Sequence, residues 1–83
     1  MKPTIGRIVH VILRDSTMRV ITRPGIITRT WDNTMTVQVT VFPDVINDGL
    51  GAAHGLSSVQ YDETQTLVAD GGIGCSWHWP PRA

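Results

Sequence analysis

The chain is poor in the residues that brace or charge a small protein. Its 83 residues hold one cysteine, one lysine, one glutamate, one phenylalanine and one tyrosine. A single cysteine excludes an intrachain disulfide. One lysine and one glutamate leave almost no material for the i,i+4 ion pairs that support exposed helices. Charged residues make up 17% of the chain, below the roughly 25% usual in a soluble domain. No run approaches the length of a membrane span, and the apolar stretch that follows Met1-Lys2-Pro3-Thr4 is broken by Arg7 and His10, so neither a transmembrane anchor nor a secretory signal is expected. The lone thiol, together with the lack of an Asn-x-Ser/Thr site, fits life inside a cell.

What is present is strand-forming material. Ten Thr, nine Val and eight Ile make about a third of the sequence. The 41% hydrophobic share is enough for a core and argues against disorder. The length predicts a single domain over residues 1–83. A chain this short buries only about 60 to 65% of its unfolded surface and is marginal unless braced. With no disulfide to supply the brace, self-association is the expectation.

Net formal charge is zero, but residues 1–31 carry six basic groups against Asp15 alone, and residues 32–83 carry six acids against Arg82 alone. A basic arm for nucleic acid, mixing of the two halves by interleaved strands, and head-to-tail contact between copies are three readings of that asymmetry. Interleaving is preferred, because neighbouring strands in a small sheet come from both halves.

Along the chain, Ile5 to Leu13 reads as a strand, followed by a polar turn at Arg14-Asp15-Ser16-Thr17. Met18 to Arg23 is a short strand or extended loop that ends at Pro24-Gly25, whose residue types suit a type II turn. Ile26 to Trp31 is the next strand, closed by Asp32-Asn33. The clearest element is Thr34 to Phe42, where Met35, Val37, Val39 and Val41 alternate with Thr34, Thr36, Gln38 and Thr40. Pro43 stops it, and a loop centred on Asn47-Asp48-Gly49 runs to Gly55. Leu56 to Tyr61 is a further strand. Residues 62–74 are irregular, with Thr66 to Ala69 extended and a turn at Asp70-Gly71-Gly72. Cys75 to Trp79 alternates again, placing Cys75, Trp77 and Trp79 on one side before Pro80-Pro81. Five short strands without βαβ spacing predict an all-β fold, a small antiparallel SH3-like barrel, with an OB-like barrel as the alternative.

Chemical motifs are sparse. The glycines at 49, 51 and 55 miss the dinucleotide pattern, and Lys2 is no P-loop lysine. Cys75 and His78 have the spacing of a metal or catalytic pair, but residues three apart in a strand face opposite ways, so a structural thiol and an ordinary surface or interface histidine are expected. Asp62 and Glu63 are adjacent, hence not a paired-carboxylate site, and Ile46 spoils a calcium loop around Asp44 and Asp48. No cofactor, metal or enzymatic activity is expected. Arg7, Arg14, Arg19, Arg23 and Arg29 with Trp31 as a stacking face form the alternative, a nucleic-acid surface, which the neutral overall charge disfavours. Trp77 and Trp79 either cap the barrel or meet another subunit. Trp31, Trp77 and Trp79 are the expected contact residues, with the Arg14, Arg19 and Arg23 segment as a second surface.

The opening Lys2-Pro3-Thr4-Ile5-Gly6-Arg7-Ile8-Val9-His10 and the closing Trp77-His78-Trp79-Pro80 are the specific parts of a wider resemblance. Arg29-Thr30-Trp31, Val37-Gln38-Val39, Asn47-Asp48-Gly49 and Ser58-Val59-Gln60-Tyr61-Asp62 extend it over almost the whole chain. In these motifs the sequence resembles small proteins of tailed bacteriophages and prophages whose activity is not established. Gly74-Cys75-Ser76 stands where that pattern has a plain Gly-Thr or Gly-Ser turn. The resemblance implies a phage origin, a small β fold and residence in the infected host's cytoplasm or in the virion. With the residue-level reading, it gives a non-enzymatic accessory or structural protein that self-associates and meets a phage or host protein.

Overall fold

In a computed structural model, residues 2–81 are described, and they form an all-β closed barrel of five strands in sequential order. The strands are β1 (Ile8–Arg14), β2 (Val20–Thr30), β3 (Val37–Val41), β4 (His54–Tyr61) and β5 (Ser76–His78). Neighbours in sequence are neighbours in space, and β5 closes the ring on β1. This is the small five-stranded barrel that the sequence predicts, consistent with an SH3-like or an OB-like barrel. One seam departs from the all-antiparallel expectation: β5 runs antiparallel to β1 and therefore parallel to β4.

Alternation builds the core. Val9, Val11 and Leu13 from β1, Ile27 from β2, Val37, Val39 and Val41 from β3, Val59 from β4 and Trp77 from β5 are buried together. The strict period of two in β3 is thus a core face and an outer face. Pairing irregularities between Ile27 and Arg29 in β2, and opposite Val37 to Val39 in β3, bend the sheet so that it can close.

Pro24-Gly25 is not a turn. β2 runs straight through it, with Pro24 opposite His10 and Gly25 opposite both Val9 and Val41. Here pairing passes from β1 to β3, and a Cβ at Gly25 would lie 2.7 Å from Val39 Cγ2 and 3.1 Å from the Thr40 carbonyl. The glycine leaves room for the Val39 and Val11 side chains and the Thr40 carbonyl at a barrel corner, a role that its dipeptide context disguises as turn chemistry. The first strand likewise starts later than expected, at Ile8, and includes Arg14. The turn that follows is organised by Asp15, whose carboxylate accepts hydrogen bonds from the Thr17 and Arg19 backbone N–H groups at 2.9 and 3.0 Å.

Thr66 to Ala69 is not extended but part of a tight turn, in which Asp70 and Gly71 N–H groups donate to the Thr66 and Val68 carbonyls. The loop between β3 and β4 is pinned at Asp48, which accepts a bidentate pair from Arg23 Nε and Nη2, both at 2.7 Å. The Asp48 carbonyl also accepts from the Ser16 N–H, joining this loop to the β1–β2 turn. Gly49 has a φ of +70°, and a side chain there would collide with Ser16.

Candidate functional site

The outside of the barrel carries two surfaces of different kinds. The first is the outer face of β1, β2 and β3. Positions that alternate with the core place Ile8, His10 and Arg14 on it from β1, Val20, Thr22, Pro24, Ile26 and Thr28 from β2, and Gln38 and Thr40 from β3, and past the β2 irregularity Arg29 joins them opposite Gln38. The charged members of this face stand at its two ends, Arg14 opposite Val20 and the exposed Arg29 opposite Gln38, and the stretch between them carries no Asp, Glu, Lys or Arg. Ile8 pairs with Ile26, which pairs with Thr40, and the Phe42 N–H donates to the Pro24 carbonyl in the adjacent row. The register therefore assembles Ile8, Pro24, Ile26 and Phe42 into one patch. Ile8 is 61% exposed and Phe42 44%.

The second surface is the outer face of β5 and the adjoining half of β1. Ile12, Ser76 and His78 point away from the core, yet all are buried, as is Val68 in the β4–β5 connection. The Arg14 guanidinium donates from Nη2 to the Val68 carbonyl at 3.0 Å, tying that connection to β1. Residues 62–74 thus form an outer cover, which is itself held by Asp62. Burial alone would raise the Asp62 carboxyl, but hydrogen bonds from the Leu67 N–H and the Thr64 hydroxyl outweigh it and keep the group below the usual carboxylate range.

The three tryptophans divide. Trp77 lies at the centre of the core, edge-to-face with Tyr61 at 4.8 Å and Trp79 at 4.9 Å, and its Nε1 donates to the Met35 carbonyl at 2.8 Å. It caps the core and is not on the surface. Trp79 is half-buried with the Arg7 guanidinium over its ring, and Trp31 is half-buried beneath Arg29. Of the second expected surface, Arg14 is bound to the Met18 and Val68 carbonyls and Arg23 to Asp48, while Arg19 reaches back to Asp15 with most of its side chain in solvent. The Arg23 hydrogen bond, more than any other influence, holds the Asp48 carboxyl low against the effect of burial. These arginines fasten loops rather than form one basic face.

His78 is not an ordinary surface or interface histidine within this chain. It is 4% exposed, lies directly opposite His10 across the β5–β1 ladder, and meets that ring edge-on at 5.6 Å. The sequence separation of 68 residues hid that pairing; only the closure of the ring brings the two together. Cys75 packs instead against the barrel core, as the strand argument requires, and burial pushes its thiol up, the opposite of an activated nucleophile. Among the described residues, no group of three His, Cys, Asp or Glu side chains could hold a metal ion. No helix of the described residues is long and apolar enough to cross a membrane. No family model matches the chain, and no curated protein or solved structure is significantly similar to it.

Proposed function

We propose that this chain is a non-enzymatic phage accessory or structural protein, acting as a self-associating protein-interaction module in the infected cell or the virion. The apolar patch of Ile8, Pro24, Ile26 and Phe42 on the outer face of β1, β2 and β3, with Arg14 and Arg29 only at the ends of that face, carries this reading. A solvated antiparallel sheet face ordinarily has polar and charged residues at outward positions, whereas interface cores are depleted of charge. The proposed occupant is a second copy of the same face. The middles of two such faces meet with no like charges opposed, because Arg14 and Arg29 stand at the ends, and their Thr and aliphatic side chains alternate in a way that allows self-complementary packing.

A second presentation surface lies at the β3–β4 loop, where Val45 is 63% and Ile46 90% exposed. Their turn is held rigid by the Asp44 carboxylate, which accepts from the Ile46 and Asn47 N–H groups. This is where a phage or host protein would be met. The commitment of Arg14, Arg19 and Arg23 to partners within the chain favours protein contact over nucleic acid.

Light scattering at high micromolar concentration tests the reading. The wild type is expected as a dimer or larger, and Ile8→Lys as a monomer with unchanged thermal stability, since Ile8 already faces solvent in the single chain. A monomeric wild type overturns it. Steeply salt-dependent retention of DNA or RNA would favour the nucleic-acid alternative instead.

A further inference from the structure

The β4–β5 closure is the weakest part of the barrel. β5 is three residues long, and its ladder to β4 has only two pairs, Gln60 with Ser76 and Tyr61 with Trp77. The outer side chains of this short strand are unusual for buried residues. Neither the Ser76 hydroxyl oxygen nor His78 Nδ1 has a hydrogen-bond partner. A neutral imidazole tolerates this arrangement, because an unpaired ring acceptor is the lesser loss. An imidazolium does not, because both ring nitrogens then carry N–H groups and a full positive charge lies beneath the cover.

From this geometry we infer that the His10–His78 pair is a proton-operated latch: protonation of His78 releases β5 and the 62–74 cover from β1 and β4 while the β1–β2–β3 meander stays folded. The groups facing His78 support that direction. Burial is the first influence keeping it neutral, and His10 from β1 is the second, since the two imidazoliums would repel across the ladder. Asp62, from the connection, opposes them by favouring the cation but does not outweigh them. β5 itself contributes no other titratable side chain, and Arg14 on β1 is engaged with two carbonyls.

The sign follows from linkage. The His78 pKa is lowered in the fold from an ordinary 6.5, so the unfolded or opened state binds more protons, and stability falls as pH drops below 6.5 toward the folded value. The carboxylates Asp15, Asp44, Asp48 and Asp62 behave differently. Their pKa values lie below the ordinary 3.8, so their contribution is intact above it and is lost only as pH falls through those lower values. Mild acid therefore isolates the histidine.

The test is amide hydrogen exchange of the full chain at about pH 7.5 and about pH 5, corrected for intrinsic exchange rates. Protection is expected to fall in residues 62–78 and to persist in β2 and β3, with a red shift of tryptophan emission as Trp77 leaves the core with β5. His78→Phe, which keeps the burial and removes the proton site, is expected to abolish the change, and His10→Gln to make it shallower. Equal protection at both pH values overturns the inference, as does the same loss in His78→Phe. Should that variant not fold, titration of the His78 ring by NMR in the wild type decides: a midpoint at or above 6.5 with the closure intact overturns the latch.

Discussion

The two sides of this barrel are held together differently. On one side, β1 and β2 share a register of seven pairs and β2 continues into β3, so the backbone ladder is long, while the outer face is bare. On the other side, β5 has three pairs with β1 and two with β4, and there the chain is buried on both faces, by Trp77 within and by the 62–74 connection without. Side-chain burial thus substitutes for ladder length where closure is short. Where the ladder is long, the outer face is left open.

Loss of the inner burial does the most damage. Trp77→Ala deletes the largest fully buried side chain and leaves the Met35 carbonyl without its donor. Truncation of a buried aromatic costs about 3 to 5 kcal/mol, and a domain of this size has roughly 5 to 15 kcal/mol in all. Urea titration is expected to show either no cooperative transition or a midpoint reduced by half or more. A small shift would mean that Tyr61 and Trp79 close the core without it.

On the long-laddered side, the sensitive position carries no side chain. Gly25→Ala places a methyl against the buried Val39 and Val11 side chains and the Thr40 carbonyl, and the carbonyl cannot retreat without opening the ladder. Overpacking of this kind costs about 1 to 3 kcal/mol. The loss is expected to be global, with amide protection falling in β1, β2 and β3 together, unlike the local opening of the β5 closure.

How legible these features were in the residues depends on the range of the interaction. The alternation of Met35 to Val41 states its own inner and outer faces, and the core valines follow from it. The all-β class and the barrel are equally legible, because composition and strand spacing are local properties. Gly25 is read wrongly since a proline-glycine step has the same local chemistry in a turn and at a barrel corner; the contact that decides between them comes from Val39, in another strand. Thr66 to Ala69 has β-branched neighbours but is bent by Asp62, which captures the Leu67 N–H. Trp77 and Trp79 stand two apart and were equivalent by sequence, yet one is central and the other at the rim. The His10–His78 pair required knowing that β5 returns to β1, a parallel-to-β4 closure that no turn motif announces.

The outer cover alone contributes least, and Val68 isolates its share. Val68 is 1% exposed but lies outside the barrel's core cluster, and its carbonyl holds Arg14. Val68→Ala leaves that carbonyl in place and removes two methyl groups, worth about 1.6 kcal/mol at roughly 0.8 kcal/mol per buried carbon. If cover and closure open together while the meander remains, this loss appears entirely in the local equilibrium. Exchange in residues 62–78 is then expected to rise by about tenfold at neutral pH, since about 1.4 kcal/mol is a factor of ten, with β2 and β3 unchanged until global unfolding. A uniform rise across all five strands would instead mean that the short seam and the long ladder melt as one unit, and that the difference between the two sides is one of geometry without an energetic counterpart.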